Sequence, residues 1–274
     1  MFTGISRRRV AVTCVSLILV LAFSFFAIAE VLLPQASGSK VKTDGSLTVD
    51  CSHMDEGYIM VKGPVSKKRL KVRIKTTGVT LNYDLNTNGE FEVYPLQFGS
   101  GKYQVTLYKN ASGKKYSEEG KVSMNVDMDD ELRCFLYPNQ YVNYTDTTPA
   151  VVEAANICAG LTDQTDIYRK ICDYMKTQFA YDYVKMVTVK AGQMPDIDGA
   201  WTKRMGICQD LAAITVAMLR SQGIPARLMI GTVGANSYHA WVTAVVNGDE
   251  KFFDPTAELN ASAKDDTYTT ERYY

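Results

Sequence analysis

Three residues in the second half of the chain carry side chains that could together perform nucleophilic catalysis. Cys208 lies in Gly-Ile-Cys-Gln-Asp-Leu-Ala, His239 in Tyr-His-Ala-Trp, and Asp254 in Phe-Phe-Asp-Pro-Thr. A cysteine thiolate is a nucleophile, a histidine can take and return a proton, and a carboxylate can orient the histidine. In this chain order the three residues predict a Cys–His–Asp catalytic set.

The cysteine begins a predicted buried helix. Apolar side chains recur at helical spacing from Ile207 to Met218, and Gly223 followed by Pro225 predicts where the helix ends. Free N–H groups and the helix dipole at a helix start stabilise negative charge, so a thiolate is favoured there. A lone cysteine is more often an inert packed side chain, so the interpretation of Cys208 depends on its partners.

Two strands and a tight turn are predicted to bring those partners together. The runs 226–233 and 239–246 are rich in apolar and β-branched residues, and Asn247-Gly248 is a strong signal for a two-residue hairpin. In such a hairpin Asp254 lies opposite Trp241 and diagonal to His239 on the same face of the sheet, about 7–8 Å away by backbone. A three-residue loop would place Asp254 on the other face.

Each partner also has an ordinary structural interpretation. His239 could be a strand histidine whose hydrogen bonds are satisfied, and Asp254 could cap the turn before Pro255. The helix start and the two adjoining strands place the three residues together, and this combination favours catalysis.

The N-terminal residues 1–30 predict an export signal or a retained membrane anchor. Arg7-Arg8-Arg9 precedes an uncharged apolar run from Val10 to Ala29, which ends in Ala27-Ile28-Ala29. The run is also long enough to cross a bilayer. In either case the positive-inside rule places the rest of the chain outside the cytoplasm, secreted or anchored at the cell surface.

The middle of the chain predicts a β-sandwich of immunoglobulin-like type over residues 46–130, after a linker at 31–45. Seven short runs of alternating pattern are separated by Gly- and Asn-rich turns. In one of them Leu70, Val72 and Ile74 alternate with basic residues, which is typical of a strand with one wet face. The region holds no nucleophile–base pair, and we interpret it as a spacer or binding module.

Residues 131–274 predict the catalytic domain. One helix is expected from Pro149 to about Gly160, and a second from after Thr165-Asp166 to about Phe179. The segment 181–183 is expected to be extended, and 188–200 to be a loop beside the site. The tyrosine-rich segment 257–274 is expected to be a strand or a tail that flanks the cleft.

Composition excludes several classes of partner. The chain has 30 basic and 30 acidic residues and no basic stripe, which argues against nucleic acid. His53 and His239 are its two histidines, and no Cys/His cluster is present, so neither a metal site nor a cofactor is predicted.

The cysteines leave two structural alternatives open. Loss of the N-terminal segment would leave an odd number, so at least one thiol is unpaired in a monomer; the remaining cysteines are Cys51, Cys134, Cys158, Cys172 and Cys208. An exported chain permits a disulfide between Cys158 and Cys172. The alternative is that the four cysteines other than Cys208 are all small buried apolar side chains.

The motifs resemble those of the transglutaminase-like superfamily over about residues 150–256. They are Gly-Ile-Cys208-Gln-Asp-Leu-Ala, Leu219-Arg-Ser-Gln-Gly-Ile-Pro-Ala-Arg, His239-Ala-Trp and Phe253-Asp-Pro-Thr. The resemblance implies an α+β fold, a papain-like core whose helical part lies against an antiparallel sheet. It implies Cys208 as nucleophile, His239 as base and acid, and Asp254 as the group that orients His239.

The same resemblance implies a side chain upstream of Cys208 that helps its backbone N–H stabilise an oxyanion. We predict Tyr181 by its position, with Tyr183 and Trp201 as alternatives. Removal of one oxyanion donor can cost about 10²–10³-fold in rate.

The predicted function is an exported thiol hydrolase that acts on peptide or glutamine side-chain amides of a protein or peptide substrate, which could be associated with the cell wall or cell surface. Cys208 would form a thioester that water resolves. If a lysine amine resolves it instead, the chain is a cross-linking transamidase. The third alternative is a non-catalytic surface binding protein, and the membrane is expected to be contacted only by the N-terminal segment.

Overall fold

A computed structural model describes residues 30–234, 237–260 and 267–274. The predicted export signal or anchor lies outside these residues, apart from Glu30. Over the described ranges no helix is both long and apolar enough to cross a membrane.

The first half of the described chain forms two four-stranded antiparallel sheets. Their strand orders are β1-β2-β3-β6 and β5-β4-β7-β8. The strands are β1 (Val41–Asp44), β2 (Leu47–Asp50), β3 (Tyr58–Lys62), β4 (Leu70–Thr76), β5 (Val79–Leu85), β6 (Glu92–Pro95), β7 (Gly101–Ser112) and β8 (Lys115–Val126). The seven predicted runs fall on β2 to β8, which confirms them as strands; the immunoglobulin-like type stays a prediction.

Alternation along the strands explains why these sheets form. On β4 the apolar Leu70, Val72 and Ile74 are buried, whereas Arg73 and Lys75 between and after them are exposed. A strand of this pattern gains free energy by turning one face into an apolar core and leaving the other in water. The predicted wet face of β4 is therefore confirmed.

The second half mixes helices with a further antiparallel sheet of order β13-β12-β11-β14. A 3₁₀ turn (Arg133–Leu136) precedes them, and β9 and β10 form a separate parallel pair. The helices are α1 (Pro149–Ile157), α2 (Gln164–Gln178), α3 (Tyr183–Thr188), α4 (Ile197–Lys203), α5 (Cys208–Ser221) and α6 (Pro255–Asn260). The strands are β9 (Ala180–Tyr181), β10 (Met205–Gly206), β11 (Ala226–Val233), β12 (Ser237–Val246), β13 (Asp249–Phe253) and β14 (Tyr268–Tyr273).

Helix α5 is the centre of this half. Every residue from Asp210 to Ser221 is buried, and the helix contacts β11, β12, α1, α2 and α4. It ends where the sequence predicts, because Gly223 has φ of +75° and Pro225 follows. A helix surrounded on all sides is rigid, so it can hold its first residue in a fixed position.

Aspartate caps account for three boundaries that the sequence did not predict correctly. Asp163 accepts hydrogen bonds from the N–H groups of residues 165 and 166, so α2 begins earlier than expected. Asp182 accepts from the N–H of Lys185 at 2.7 Å, which starts α3 where an extended segment was expected. Asp196 accepts from Gly199 at 2.9 Å, so α4 occupies part of the predicted loop 188–200.

The last described residues form strand β14 at the edge of β11, which confirms the strand alternative for this part of the segment 257–274. Residues 257–260 lie instead in helix α6, which Asp254 caps and which the sequence did not predict. The register shifts between Ile230 and Gly231, where the pairing partner changes from Arg272 to Thr270. A Cβ at Gly231 would lie 1.9 Å from the carbonyl oxygen of Thr269, so only glycine allows the two strands to approach here.

One apolar core runs through both halves of the described chain. Leu47 of β2 and Tyr274 at the last position belong to the same cluster of buried residues. The predicted boundary at residue 130 falls in the irregular segment between β8 and the 3₁₀ turn. The division into domains stays a prediction.

Candidate active site

Cys208 is the first residue of α5, as its sequence context predicts, and it is half-buried. Ile207 precedes it in an extended conformation, with φ −87° and ψ 174°. The carboxylate of Asp210 accepts a hydrogen bond from the Ile207 N–H at 3.0 Å, which is the contact that an acidic third residue makes in a capping box. The thiol therefore lies at a fixed helix start whose N–H groups favour negative charge.

The hairpin has the register that the sequence predicts. Val246 pairs with Asp249 and Val242 with Phe253, so the loop consists of Asn247 and Gly248 alone. Both loop residues have positive φ, 51° and 85°, which a type I′ turn requires. Asp254 follows directly after β13, and its position relative to β12 is thereby fixed.

His239 and Asp254 are in direct contact. His239 Nε2 lies 2.7 Å from Asp254 Oδ2, and the two side chains are 12% and 3% exposed. Since Asp254 holds Nε2, the other ring nitrogen, Nδ1, is left for Cys208. The structure thus brings together the three residues that the sequence identified as candidates; their catalytic roles remain a proposal.

The electrostatics of this pair favour a charged histidine. Burial would raise the pKa of Asp254, but hydrogen bonds from His239 and Tyr268 hold it below its usual value. Burial would lower the pKa of His239, but the hydrogen bond to Asp254 and the interaction with Cys208 raise it to about 9. At neutral pH His239 is therefore a cation beside Cys208.

Asp254 both caps a helix and contacts His239, the two roles that the sequence allows for it. Its Oδ1 accepts from the N–H groups of Thr256 and Ala257, at 2.9 and 3.1 Å, and so caps α6. Its Oδ2 takes the histidine and also accepts from the Tyr268 hydroxyl at 2.7 Å. A carboxylate with this many donors is held rigidly and stays ionised.

Two residues of the site are not identified from the sequence. Tyr268 reaches Asp254 from β14, and no local pattern points to that contact. Asp210 is part of the cysteine motif, and its position three residues after Ile207 is a capping signal that could have identified its role.

The Asp210 carboxylate joins three segments around the nucleophile. Besides the Ile207 N–H, it accepts from the Asp196 N–H at 2.9 Å and forms an ion pair with Lys185 Nζ at 2.7 Å. Asp210 is fully buried and the Lys185 side chain is 19% exposed. This network ties the start of α5 to α3 and to the segment before α4.

Cys208 opens into a cavity of about 520 Å³. His239, Tyr181 and Tyr238 also line it, and most of the remaining lining comes from the segment after α3 and from β11, β12 and β14. The volume lies in the range of small-ligand pockets, so it could admit one side chain of a peptide.

Of the three candidate oxyanion donors, Tyr181 is the one that lines this cavity. Burial and then the neighbouring Cys208 raise the pKa of Tyr181 to about 12, so its hydroxyl stays protonated and can donate. Tyr183 is 61% exposed, and its hydroxyl donates to Asn260. Trp201 is buried against Tyr174 instead, with ring centroids 6.0 Å apart.

The described cysteines are all unpaired. Cys158 and Cys172 are buried, which agrees with their interpretation as small apolar side chains rather than as a disulfide. Burial raises the pKa of Cys158 to about 11 and that of Cys172 to about 12. These two thiols are therefore unreactive at neutral pH, and both are more buried than Cys208.

The chain carries a domain of a known superfamily. Residues 153–253 match the family model of the transglutaminase-like superfamily. That part of the chain belongs to the superfamily, and its fold is the mixed α/β core with antiparallel sheets described above. No curated protein matches the chain in sequence.

Solved structures with a related arrangement have low sequence identity. A candidate cysteine protease from Cytophaga hutchinsonii is 14% identical, with a TM-score of 0.41 over 86% of this chain and 90% of that one. The periplasmic domain of TgpA from Pseudomonas aeruginosa is 16% identical, with a TM-score of 0.38 over 83% and 77%. Red sea bream transglutaminase is 14% identical, with a TM-score of 0.29 over 72% and 47%.

Proposed function

We propose that the chain is an exported thiol hydrolase that cleaves amide bonds of proteins or peptides through Cys208, His239 and Asp254. The observation that carries the proposal is His239, held at 2.7 Å by Asp254 and interacting with Cys208 at the start of a buried helix. Nucleophile, base and orienting group are thus ordered as covalent catalysis requires.

The reaction follows from these positions. The Cys208 thiolate attacks the carbonyl carbon, and the developing oxyanion is stabilised by the Cys208 N–H and the Tyr181 hydroxyl. His239 gives its proton to the leaving amine as the C–N bond breaks, which leaves a thioester. His239 then takes a proton from water, and the hydroxide attacks the thioester carbonyl. The C–S bond breaks, the carboxylic acid is released, and the Cys208 thiolate beside protonated His239 is restored.

We also propose that this chemistry takes place outside the cytoplasm. The support is the N-terminal sequence, in which three arginines precede a long apolar run. A fractionation that found the mature chain in the cytoplasm would overturn this part of the proposal without touching the catalytic part.

Release of ammonia from a glutamine-containing peptide, with and without an added primary amine, is the most informative assay. A hydrolase releases ammonia, and the peptide gains a glutamate whether or not the amine is present. A transamidase incorporates the amine, and peptide-bond cleavage instead yields two fragments. Each product has a distinct mass, so one spectrum separates the three outcomes.

Alkylation by iodoacetamide separates an enzyme from a binding protein. We expect Cys208 to react much faster than an ordinary thiol, because a cation and a helix start adjoin it, and activity to be lost in proportion. Cys208→Ala should abolish the fast reaction and the activity, whereas Cys158→Ala is the matched control at a buried thiol. Full activity in Cys208→Ala would end the proposal.

A further inference from the structure

The charged side chains that line the cavity beside Cys208 are basic, as far as the described residues show. Arg272 and Lys190 are among its lining residues, and no described residue that lines it is an aspartate or a glutamate. A concave site with cations and no carboxylate concentrates positive potential, because field lines converge in a low-dielectric cleft. A group of negative charge is therefore the ligand that this site attracts.

Arg272 is held in place without being neutralised. It pairs with Ile230 across β14 and β11, so both side chains lie on one face, and both line the cavity. Its Nη2 donates to the hydroxyl of Tyr238, whose ring centroid lies 5.8 Å from the guanidinium carbon. The strand pairing and the tyrosine fix the guanidinium, and neither removes its charge.

The exposed end of this guanidinium is available to a ligand, since the Arg272 side chain is 39% exposed. Nε is itself buried and has no hydrogen-bond partner among the described residues, so Nη1 and Nη2 are the groups that can reach a ligand. Among the described residues, the carboxylate that forms an ion pair with Arg272 is Glu271, which is 48% exposed and lies 3.9 Å from Nη1. This distance is too long for a hydrogen bond, and solvent weakens the pair. An arginine with a rigid position and unused donors is suited to a planar carboxylate.

Lys190 adds a second charge from a different segment. It follows α3, its side chain is exposed, and it forms no ion pair within the described parts of the chain. A lysine on such a segment supplies long-range attraction rather than a fixed contact. The two cations therefore have different roles, since Lys190 attracts an anionic ligand and Arg272 positions it.

We propose that Arg272, supported by Tyr238 and Lys190, forms a subsite for a carboxylate of the substrate. The inference rests on the proposed function, since it assigns acidic peptides as the substrate class of the same cleft. The carboxylate could be an acidic side chain or a free C-terminus, and the two share the chemistry that the guanidinium recognises.

Protection of Cys208 against iodoacetamide tests the subsite without requiring turnover. The probes are acetylated pentapeptide amides that differ only in one Asp or isosteric Asn, and a second pair with a free or amidated C-terminus. In one of the two pairs, we expect the peptide with the carboxylate to half-protect Cys208 at a concentration about ten- to hundredfold lower than its uncharged partner does. This is the gain in affinity that a charge-assisted hydrogen bond provides. Cys208→Ala measures background labelling of the buried thiols.

Variants of Arg272 make the test specific. Arg272→Gln should remove the difference in half-protecting concentration between the paired peptides, without changing the value for the uncharged peptide. Arg272→Lys should keep part of that difference. Arg73→Gln, at an exposed arginine of β4, is the control for loss of one positive charge. Thermal melts of all variants show whether each is folded.

The outcomes separate this inference from the proposed function. Equal protection by the paired peptides in an active enzyme overturns the subsite and leaves the hydrolase intact. A preference that survives Arg272→Gln also overturns it, as does a variant that weakens both peptides equally. If Asp-dependent protection needs Arg272 but no peptide amide is ever cleaved, the subsite stands and the hydrolase proposal fails.

Discussion

At the scale of single residues, the main feature of the site is the effect of Asp254 on the pKa of His239. Burial opposes a charged imidazole, yet its pKa is raised to about 9, with the hydrogen bond to Asp254 as the largest favourable cause. A group with a raised pKa contributes most to the free energy of unfolding below its ordinary pKa of 6.5, and this contribution is lost as the pH rises through about 9. The contribution of this pair to stability is thus pH-dependent.

Asp254→Asn should lower the pKa of His239 toward its ordinary value and reduce kcat/KM by about 10²–10⁴-fold, because the imidazolium loses its partner. The chain has two histidines, so the imidazole C–H signals can be followed by NMR titration. Cys208→Ala should lower the His239 pKa less than Asp254→Asn does. An unchanged titration in Asp254→Asn would contradict the assigned role of the hydrogen bond.

The same residues show what local sequence can and cannot reveal. Asp254 meets His239 through a two-residue turn whose type the dipeptide Asn247-Gly248 determines, so their contact could be predicted. Tyr268 meets Asp254 only because β14 returns to the edge of β11, and strand pairing of that range has no local signature. The contact between His239 and Asp254 was therefore predictable, whereas the contact of Tyr268 with Asp254 was not.

At the scale of elements, the hairpin of β12 and β13 determines which side chains meet. A glycine inserted between Asn247 and Gly248 would shift the register by one residue and turn Asp254 to the opposite face. We expect activity to fall to the level of Asp254→Asn, while far-UV circular dichroism remains close to that of the parent. The matched control is a glycine inserted between Gly113 and Lys114, in the β7–β8 hairpin.

If the insertion at Asn247 left activity intact, the contact between His239 and Asp254 would be irrelevant to catalysis. The control insertion should be active, since the β7–β8 turn is exposed and lies in the first half of the chain. A loss of activity in both variants would indicate general misfolding instead of a change in register.

Asp210 has a second role at this scale, because it holds α5, α3 and the segment before α4 together. Asp210→Asn removes one partner of a buried ion pair, and we expect the free energy of unfolding to fall by about 3–5 kcal/mol. Chemical denaturation measures this. Asp210→Asn combined with Lys185→Met should recover part of the loss, since the stranded ammonium is also removed.

The control for Asp210 is Asp198→Asn, an exposed carboxylate in the first turn of α4. Its substitution should change the free energy of unfolding by about 0.5 kcal/mol or less. A double variant that is no more stable than Asp210→Asn alone would show that the backbone N–H contacts of Asp210, rather than its pair with Lys185, carry the stability.

Errors of sequence interpretation at the element scale have one physical origin. The starts of α2, α3 and α4 are fixed by aspartates that accept hydrogen bonds from N–H groups two or three residues ahead, and an apolar period does not report such a cap. Helices α3 and α4 are also too short to show an apolar period. Helix α5 and strand β11 were predicted well, because each carries its apolar pattern over its whole length.

At the scale of the whole molecule, Arg220 connects parts that are distant in sequence. Its guanidinium is buried and donates to the carbonyl oxygens of Tyr137, Ala226 and Tyr274, at 2.6, 2.9 and 2.8 Å. Burial lowers the pKa of Arg220 to about 10, so it remains charged at neutral pH. The arginine thereby joins the junction after the 3₁₀ turn, the start of β11 and the C-terminal residue.

The two halves also meet directly in this region. Gln97 donates to the carbonyl oxygen of Tyr273, and the rings of Tyr83 and Tyr274 lie 6.0 Å apart. Because the core is continuous there, opening one half would expose apolar surface of the other. Cooperative unfolding of the two halves is the expected consequence.

Two probes can test this cooperativity. Tryptophan fluorescence reports on the second half, because both tryptophans, Trp201 and Trp241, lie there, and amide hydrogen exchange of β4 and β7 reports on the first half. We expect the two signals to change at the same guanidinium concentration. Arg220→Met leaves three carbonyl groups without their donor, so it should lower the free energy of unfolding by about 3–5 kcal/mol and move both transitions together. Separate midpoints in the parent chain would show instead that residues 46–130 and 131–274 unfold as independent domains, with Arg220 stabilising only the second.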